Sequence, residues 1–319
     1  AKTLFPYTTL FRSKIIKIQP DIIHCVTIKP IIYGGMISRI LCLPAAVFAI
    51  SGLGYLYVQD RPVKALLRAL TQRIARYAFA QPNCRIICQN RSDIAILVDA
   101  NVVRAADVRL IRGSGVDITI FRPSREPEGH PIILLPSRLL WAKGIGVFVE
   151  AARQVQKMGV HAEFRLAGDL VPHNPDSIDR KILESWIEEG IINWLGYCQD
   201  MAECFRCCHI VCLPTFYGEG LPKSLIEAAA SSRPIITTSI PGCDDIVQDG
   251  VNGILVPPKD VFRLAEAIET LALQPSLRRR MGVAGRERVV AEFRSDLIVR
   301  QTMEIYDELT EFGDGACGI

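Results

Sequence analysis

From Lys14 onward the chain alternates short apolar runs of strand length with amphipathic stretches of helix length, almost without exception. Ala45–Ile50, Ile132–Pro136 and Ile210–Pro214 are continuously apolar, the pattern of strands buried on both faces rather than one. Parallel strands must be joined by crossovers long enough to hold a helix, and such helices cover the sheet on both sides. Ligands in sheets of this kind bind at the carboxyl ends of the strands. Residue types at strand exits therefore matter most.

In the first half the pattern predicts strands at Asp21–Thr27, Ala45–Ile50, Arg85–Gln89 and Arg109–Arg112. Helices are expected at Gly34–Leu43, Val63–Phe79 and from Asp93 to Val98. The second half predicts strands at Ile132–Pro136, Ala162–Ala167, Ile191–Leu195, Ile210–Pro214, Ile235–Thr238 and Ile254–Val256, with helices near 144–158, 177–189, 199–207, 222–231, 259–273, 275–291 and 295–311. Pro123–Gly129 is polar and aperiodic and marks a domain linker. The expected architecture is α/β, with two facing Rossmann-like lobes over 14–124 and 125–293. A last helix over 294–311 is free to pack back on the first lobe, and 312–319 is a Gly-rich tail.

The opening is read differently. Residues Thr3–Ser13 match, codon for codon, the translation of a common DNA-sequencing adapter, so residues 1–13 are expected to be foreign to the fold. The alternative is a short genuine N-terminal strand. Without them the first lobe has 111 residues against 169 in the second, and it is expected to be incomplete by ~60 residues.

With 49% apolar residues in 319, the chain is not a disordered tail, a coiled coil or a collagen-like fibre. The formal charge of +3 conceals an asymmetry. Residues 14–124 carry 15 Lys/Arg against 6 Asp/Glu, net +9, and residues 125–319 carry 20 against 28, net −8. Eleven cysteines, an odd number, and no signal peptide point to reduced thiols and a cytoplasmic protein. Cys204, Cys207, Cys208 and His209 cluster locally, but no second CxxC or HxxxH completes a metal site, and none is expected. Ile40–Val58 lacks charge, yet Pro44, Ser51, Gly52 and Gly54 interrupt it, which favours a buried strand and a Gly loop over a membrane span.

Neither lobe carries GxGxxG after its first strand, and there is no GxxxxGK[ST], which disfavours dinucleotide and P-loop chemistry. Arg138 follows a strand, and Lys143-Gly144 opens the next helix. Two cations beside a helix N-terminus suit a diphosphate, although two solvated loop cations would look the same. Further on, a strand ends at Pro214, Gly218 and Gly220 flank Glu219, Leu221-Pro222 opens a helix, and Glu227 lies in its second turn. Glycines let backbone approach a ligand closely, so Glu219 can accept hydrogen bonds from sugar hydroxyls and Glu227 can reach a ribose. An exposed loop Glu and an unrelated helix Glu are the plainer alternative.

These motifs, in this order, together with Pro241-Gly-Cys-Asp-Asp245 and Asp249-Gly-Val-Asn-Gly253, resemble the retaining glycosyltransferases of family 4, which have the GT-B fold. Asp21–Pro30, Tyr33-Gly-Gly35, Ser51-Gly-Leu-Gly54 and Gly113–Asp117 are similar to a subgroup that extends lipid-diphosphate-linked glycans for bacterial surface polysaccharides and glycoproteins. The resemblance implies that Arg138 and Lys143 stabilise a departing nucleoside diphosphate, Glu219 holds the donor sugar and Glu227 the ribose. Gly144, Gly218, Gly220 and Leu221 would supply backbone to the donor, and Thr27, Lys29, Gly52 and Gly54 would lie on the acceptor side. Departures exist: Pro241-Gly242 and Asp245 stand where many relatives have Gly-Gly and Glu, and Val26 stands where many have a second His. His24 is accordingly read as capping a buried strand, not as catalytic.

The implied reaction moves a hexose or amino sugar from a nucleotide sugar, expected to be UDP-linked, to an acceptor hydroxyl by front-face attack. Arg and Lys do the charge work of a metal, so no cofactor is expected. Between Arg61 and Arg91 there are seven Lys/Arg and no acid, and the helix over 61–79 reads as a basic amphipathic segment for an anionic membrane surface. A nucleic-acid partner lacks motif or aromatic support. A sugar-nucleotide epimerase, a phosphorylase or an inactive nucleotide-binding fragment are the competing readings.

Overall fold

The computed structural model describes residues 6–53, 62–218 and 220–311, with side chains except at 6–10, 62–68 and 70. The chain divides into two compact units: Ser114–Leu297, and the residues before it together with those from Ile298.

In the first unit α1 (Pro6–Ile18) runs without a break across position 13 and precedes β1 (Ile22–Val26), α2 (Ile28–Ile40) and β2 (Ala45–Ile50). Then come α3 (Pro62–Phe79), β3 (Cys84–Cys88), α4 (Arg91–Asp99) and β4 (Val108–Leu110). The strands are parallel in the order β1-β2-β3-β4, so this sheet has no reversal of strand order among the described residues. The helix expected from Gly34 begins six residues earlier, at Ile28. Pro30 fits its first turn, where a missing N–H is harmless. Gly34 and Gly35 are points of close packing rather than a helix start: a Cβ on Gly34 would lie 2.3 Å from Cys25 Sγ, and one on Gly35 2.6 Å from the Ala78 Cβ.

The second unit holds β5 (Ile132–Pro136), α5 (Ile145–Lys157), β6 (Glu163–Ala167), α6 (Arg180–Glu188), β7 (Asn193–Trp194) and α7 (Met201–Arg206). It continues with β8 (Ile210–Leu213), α8 (Lys223–Ala230), β9 (Ile235–Thr238), β10 (Gly253–Val256), α9 (Val261–Leu273) and α10 (Pro275–Glu292). Its six parallel strands are ordered β10-β9-β8-β5-β6-β7. The chain builds β5, β6 and β7 in one direction, then returns to place β8 on the other side of β5. The strand order therefore reverses between β5 and β8, which is where open α/β sheets form their binding crevice.

The last helix, α11 (Ser295–Glu311), carries Ile298, Ile305 and Leu309 into the first unit's core beside Val47, Ile87 and Ile111. Glu308 reaches Arg85 at 2.6 Å and Arg109 at 2.8 Å, and this pair of guanidinium groups, Arg85 foremost, holds its carboxyl below the usual range.

The division between units falls after Gly113, not within Pro123–Gly129. The polar stretch lacks periodicity because arginines, not a sheet, fasten it to the second unit. Val116 N–H donates to Phe293 O (2.9 Å), and Arg286 donates to Ile118 O and Phe121 O. Buried Arg233 donates to the Ser124 carbonyl and hydroxyl at 3.1 and 2.6 Å. Buried Arg278 forks onto Glu126 at 3.0 and 3.1 Å and caps Leu271 O and Ala272 O at the end of α9. Removing one partner of a buried pair strands the other. Arg278→Ala should lower the unfolding free energy of the second unit by about 3 kcal/mol, read as a reduced urea midpoint; a midpoint within error of wild type would contradict the clamp.

Candidate active site

The loop leaving β5 is pinned on both sides of Arg138. Ser137 N–H donates to Ala167 O (3.0 Å) and Leu139 N–H to Asp169 O (2.9 Å), both at the exit of β6. Gly168 permits this approach, since a Cβ there would lie 2.0 Å from Ser137 O. The Arg138 side chain itself is exposed. Trp141 and Ala142 donate backbone N–H groups to Asp176, through its carbonyl (2.9 Å) and carboxylate (3.1 Å). The tight turn Trp141–Lys143 then ends at Gly144, which has φ 79° and opens α5.

Gly144 meets the exit of β8. A Cβ there would lie 2.0 Å from Pro214 O. One residue on, the Thr215 hydroxyl and the Phe216 N–H both donate to Ala142 O at 3.1 Å. Below them Thr237 Oγ1 donates to Leu213 O (2.7 Å) and the Thr238 hydroxyl to Thr215 O, tying the loop to β9. The Lys143–Gly144 turn and the Pro214–Gly218 segment are thus joined at the switch point. Gly220, Leu221 and Pro222 are buried, while Glu219 lies outside the described residues. Neither α5, with Gly144 at its N-cap, nor α8, with Pro222, has a side-chain cap. The start of α5, which directly follows Lys143, is a setting that favours an anion.

Glu227 sits one turn into α8 with its side chain 12% exposed and Lys223 Nζ 3.7 Å away. Burial pushes its carboxyl above the usual range, and Lys223 only partly offsets this. Buried Ala228, Ala229 and Ala230 pack behind it. At the exit of β9, Gly242 takes φ 88° and its N–H donates to Asp245 (3.3 Å), so this acidic residue spends one oxygen on its own loop.

Two family models match the chain, one for each half. Residues 130–274 match the family described as Glycosyl transferases group 1, and residues 9–90 match Glycosyl transferase 4-like. Both halves carry glycosyltransferase domains. The chain is 24% identical to the N,N'-diacetylbacillosaminyl-diphospho-undecaprenol alpha-1,3-N-acetylgalactosaminyltransferase of Campylobacter jejuni, over 96% of its own length and 83% of that protein's. It is equally 24% identical to the capsular polysaccharide biosynthesis glycosyltransferase CapM of Staphylococcus aureus, over 98% and 82%. Among solved structures it resembles sucrose-phosphate synthase from Thermosynechococcus elongatus (TM-score 0.80, 23% identity, 96% of this chain and 77% of that one). Anabaena HepE in complex with UDP is similar (TM-score 0.79, 20% identity, 95% and 82%). The fold is the GT-B class of glycosyltransferases.

The glycosyltransferase 4-like half carries the acceptor-side candidates. Thr27, Lys29 and Gly52 follow the carboxyl ends of β1 and β2, and Gly54 lies outside the described residues. Thr27 holds φ 71° and ψ 161°, rarely adopted by a β-branched residue, while its N–H bonds Ala49 O. His24 corrects the sequence reading: it stands mid-strand in β1 and pairs with Tyr306 on α11 at 2.5 Å, capping nothing. Of the basic helix, Arg61 and the side chains of Lys64 and Arg68 lie outside the described residues, and Arg73 is exposed. Arg76 differs from a free surface cation, since it donates to Ala100 O and Asn101 O at the end of α4. No helix among the described residues is long and apolar enough to cross a membrane. No group of three or more metal-type ligands converges there either. His209 bonds the Ile132 N–H and Pro127 O, and Cys207 donates to Glu203.

Sequence reasoning passed over Gly168, Thr215 and Asp176. A Gly directly after a strand was the available signal for the first; the braces of the other two depend on strand order.

Gly144→Ala forces a Cβ against Pro214 O at positive φ and should cost about 2 kcal/mol or more in stability; an Ala variant as stable as wild type would deny the close approach. The raised carboxyl of Glu227 favours the folded state below its unfolded pKa, and that contribution is lost as pH rises through its folded pKa. Glu227→Gln should therefore melt higher than wild type at pH 8, with the gap closing on acidification. A constant gap would show that the carboxyl is not desolvated.

Proposed function

We propose that the protein is a retaining glycosyltransferase that moves a hexose or amino sugar from a UDP-linked nucleotide sugar to a hydroxyl of a lipid-diphosphate-linked glycan. The observation that carries this reading is the junction of the Lys143–Gly144 turn with the Pro214–Gly218 segment at the strand-order reversal. It supports the reading because it brings the start of α5, directly after Lys143, against the exit of β8. The Campylobacter relative, named for a diphospho-undecaprenol-linked substrate, supports the acceptor class, and HepE bound to UDP supports the nucleotide.

In this mechanism Arg138 and Lys143 stabilise charge on the leaving diphosphate, assisted by backbone at Gly144, Gly218, Gly220 and Leu221. Glu219 holds hydroxyls of the donor sugar and Glu227 those of the ribose. The acceptor oxygen attacks the anomeric carbon from the face the diphosphate leaves, so configuration is kept. A diphosphate oxygen takes the acceptor's proton as the C–O bond to the nucleotide breaks. Most of the acceleration comes from positioning and from preorganised positive charge. Because those cations come from side chains, no metal is required. Thr27, Lys29, Gly52 and Gly54 line the acceptor side, and the basic helix over 61–79 holds the protein at the cytoplasmic, anionic face of the membrane, without nucleic-acid binding.

The test incubates labelled UDP-sugars with and without lipid-diphosphate-linked glycans. Transfer should require the acceptor, survive EDTA, and fall roughly 100- to 1,000-fold in Arg138→Ala and Lys143→Ala. Sugar conversion without acceptor would identify an epimerase instead, and full activity in either variant would remove that cation from the leaving-group role.

A further inference from the structure

Lys259 belongs to no motif, yet it reaches the segment on which the active site closes. It follows Pro257-Pro258 at the exit of β10 and immediately precedes Asp260, the N-cap of α9, whose carboxylate accepts from Arg263 N–H at 2.9 Å. Its backbone is left-handed, φ 64°. A glycine would adopt that conformation without a Cβ penalty. What the lysine adds is its ammonium, which lies over the Phe216 ring 4.5 Å from the centroid. Phe216 in turn gives its N–H to Ala142 O, next to Lys143 and Gly144. A single chain of contacts therefore runs from the edge strand β10, through Lys259 and Phe216, to the turn that opens α5.

We propose that Lys259 is a positioning residue of the active site: by covering the Phe216 ring it holds the Thr215–Gly218 segment against the Trp141–Gly144 turn. The effect on nucleotide binding rests on the donor-site reading above, whereas the effect on the segment itself does not. A residue of purely structural value would stabilise fold and loop together. Lys259 separates them, because its backbone conformation opposes folding while its side chain orders the loop.

The test compares the full chain with Lys259→Gly and Lys259→Arg by thermal melting, amide hydrogen exchange at Phe216, and calorimetry with UDP. Lys259→Gly should melt about 2 °C higher as backbone strain is relieved, yet exchange its Phe216 amide about 2- to 5-fold faster, the worth of an exposed cation–π contact. UDP affinity should drop by the same factor, and Lys259→Arg should restore both loop readouts. Unchanged Phe216 exchange in Lys259→Gly, or faster exchange only in proportion to a lowered melting point, would overturn the proposal. If wild type takes up no UDP, the nucleotide reading fails, and the exchange data still decide the role of Lys259.

Discussion

The candidate active site depends on one backbone contact, the approach of Gly144 to the carbonyl of Pro214. Two loops that leave neighbouring strands normally diverge, because each must start its own helix on its own face of the sheet. Here the absence of a side chain at Gly144 lets the start of α5 press directly on the exit of β8. Ala142 O then accepts from both Thr215 and Phe216, which locks the two loops into one piece. The same device recurs one strand away, where Gly168 admits Ser137 O and holds the backbone on both sides of Arg138. Preorganisation of this kind matters for charge stabilisation, since a cation held by rigid backbone need not be reordered when a leaving group departs.

The site is maintained at some expense to the fold. Glu227 is buried on a helix whose other buried residues, Leu225, Ile226 and Ala228 to Ala230, are all apolar, and its charged form is disfavoured there. Thr27 and Lys259 hold backbone conformations that suit glycine better. These tensions sit at or just beyond strand exits, whereas the inner strands β2 and β8 consist only of aliphatic, Phe or Cys residues, nearly all of them buried. A well-packed base tolerates strained exits because their cost is small beside the burial of the strands.

Much of this was legible in the chain itself, for a physical reason. Continuous apolar runs separated by helix-length crossovers permit essentially one arrangement, and the strands at Ala45–Ile50, Ile132–Pro136 and Ile235–Thr238 coincide with their expected bounds. Lys143, Gly144 and Glu227 could be placed because each lies within a few residues of a strand exit or helix start. Long-range pairings were not legible. Nothing local in Arg233 or Arg278 announces that their partners are Ser124 and Glu126, more than a hundred residues earlier. The polar stretch over 123–129 consequently looked like a linker, although it is clamped to the second unit. Asp176 escaped notice likewise, because it braces a turn more than thirty residues before it.

The redrawn boundary also changes what the charge asymmetry means. Divided after Gly113 and before Ile298, the first unit holds 17 Lys/Arg against 10 Asp/Glu, net +7, and the second 20 against 24, net −4. The contrast narrows because α11 returns Glu304, Asp307, Glu308 and Glu311 to the basic unit. Two of its cations, Arg85 and Arg109, share the single carboxylate of Glu308, which offsets one of their two charges, and Arg76 is committed to backbone carbonyls of the α4 end. A summed charge overstates the field that a distant anionic surface would meet, since paired ions are largely invisible beyond a Debye length. Lys64, Arg68, Arg73 and Arg76 follow one another on α3 with no acid among them, while Lys14, Lys17 and Lys29 lie elsewhere in the unit. Attraction to an anionic surface would therefore depend on where such cations lie along the unit, α3 foremost, and not on its summed charge.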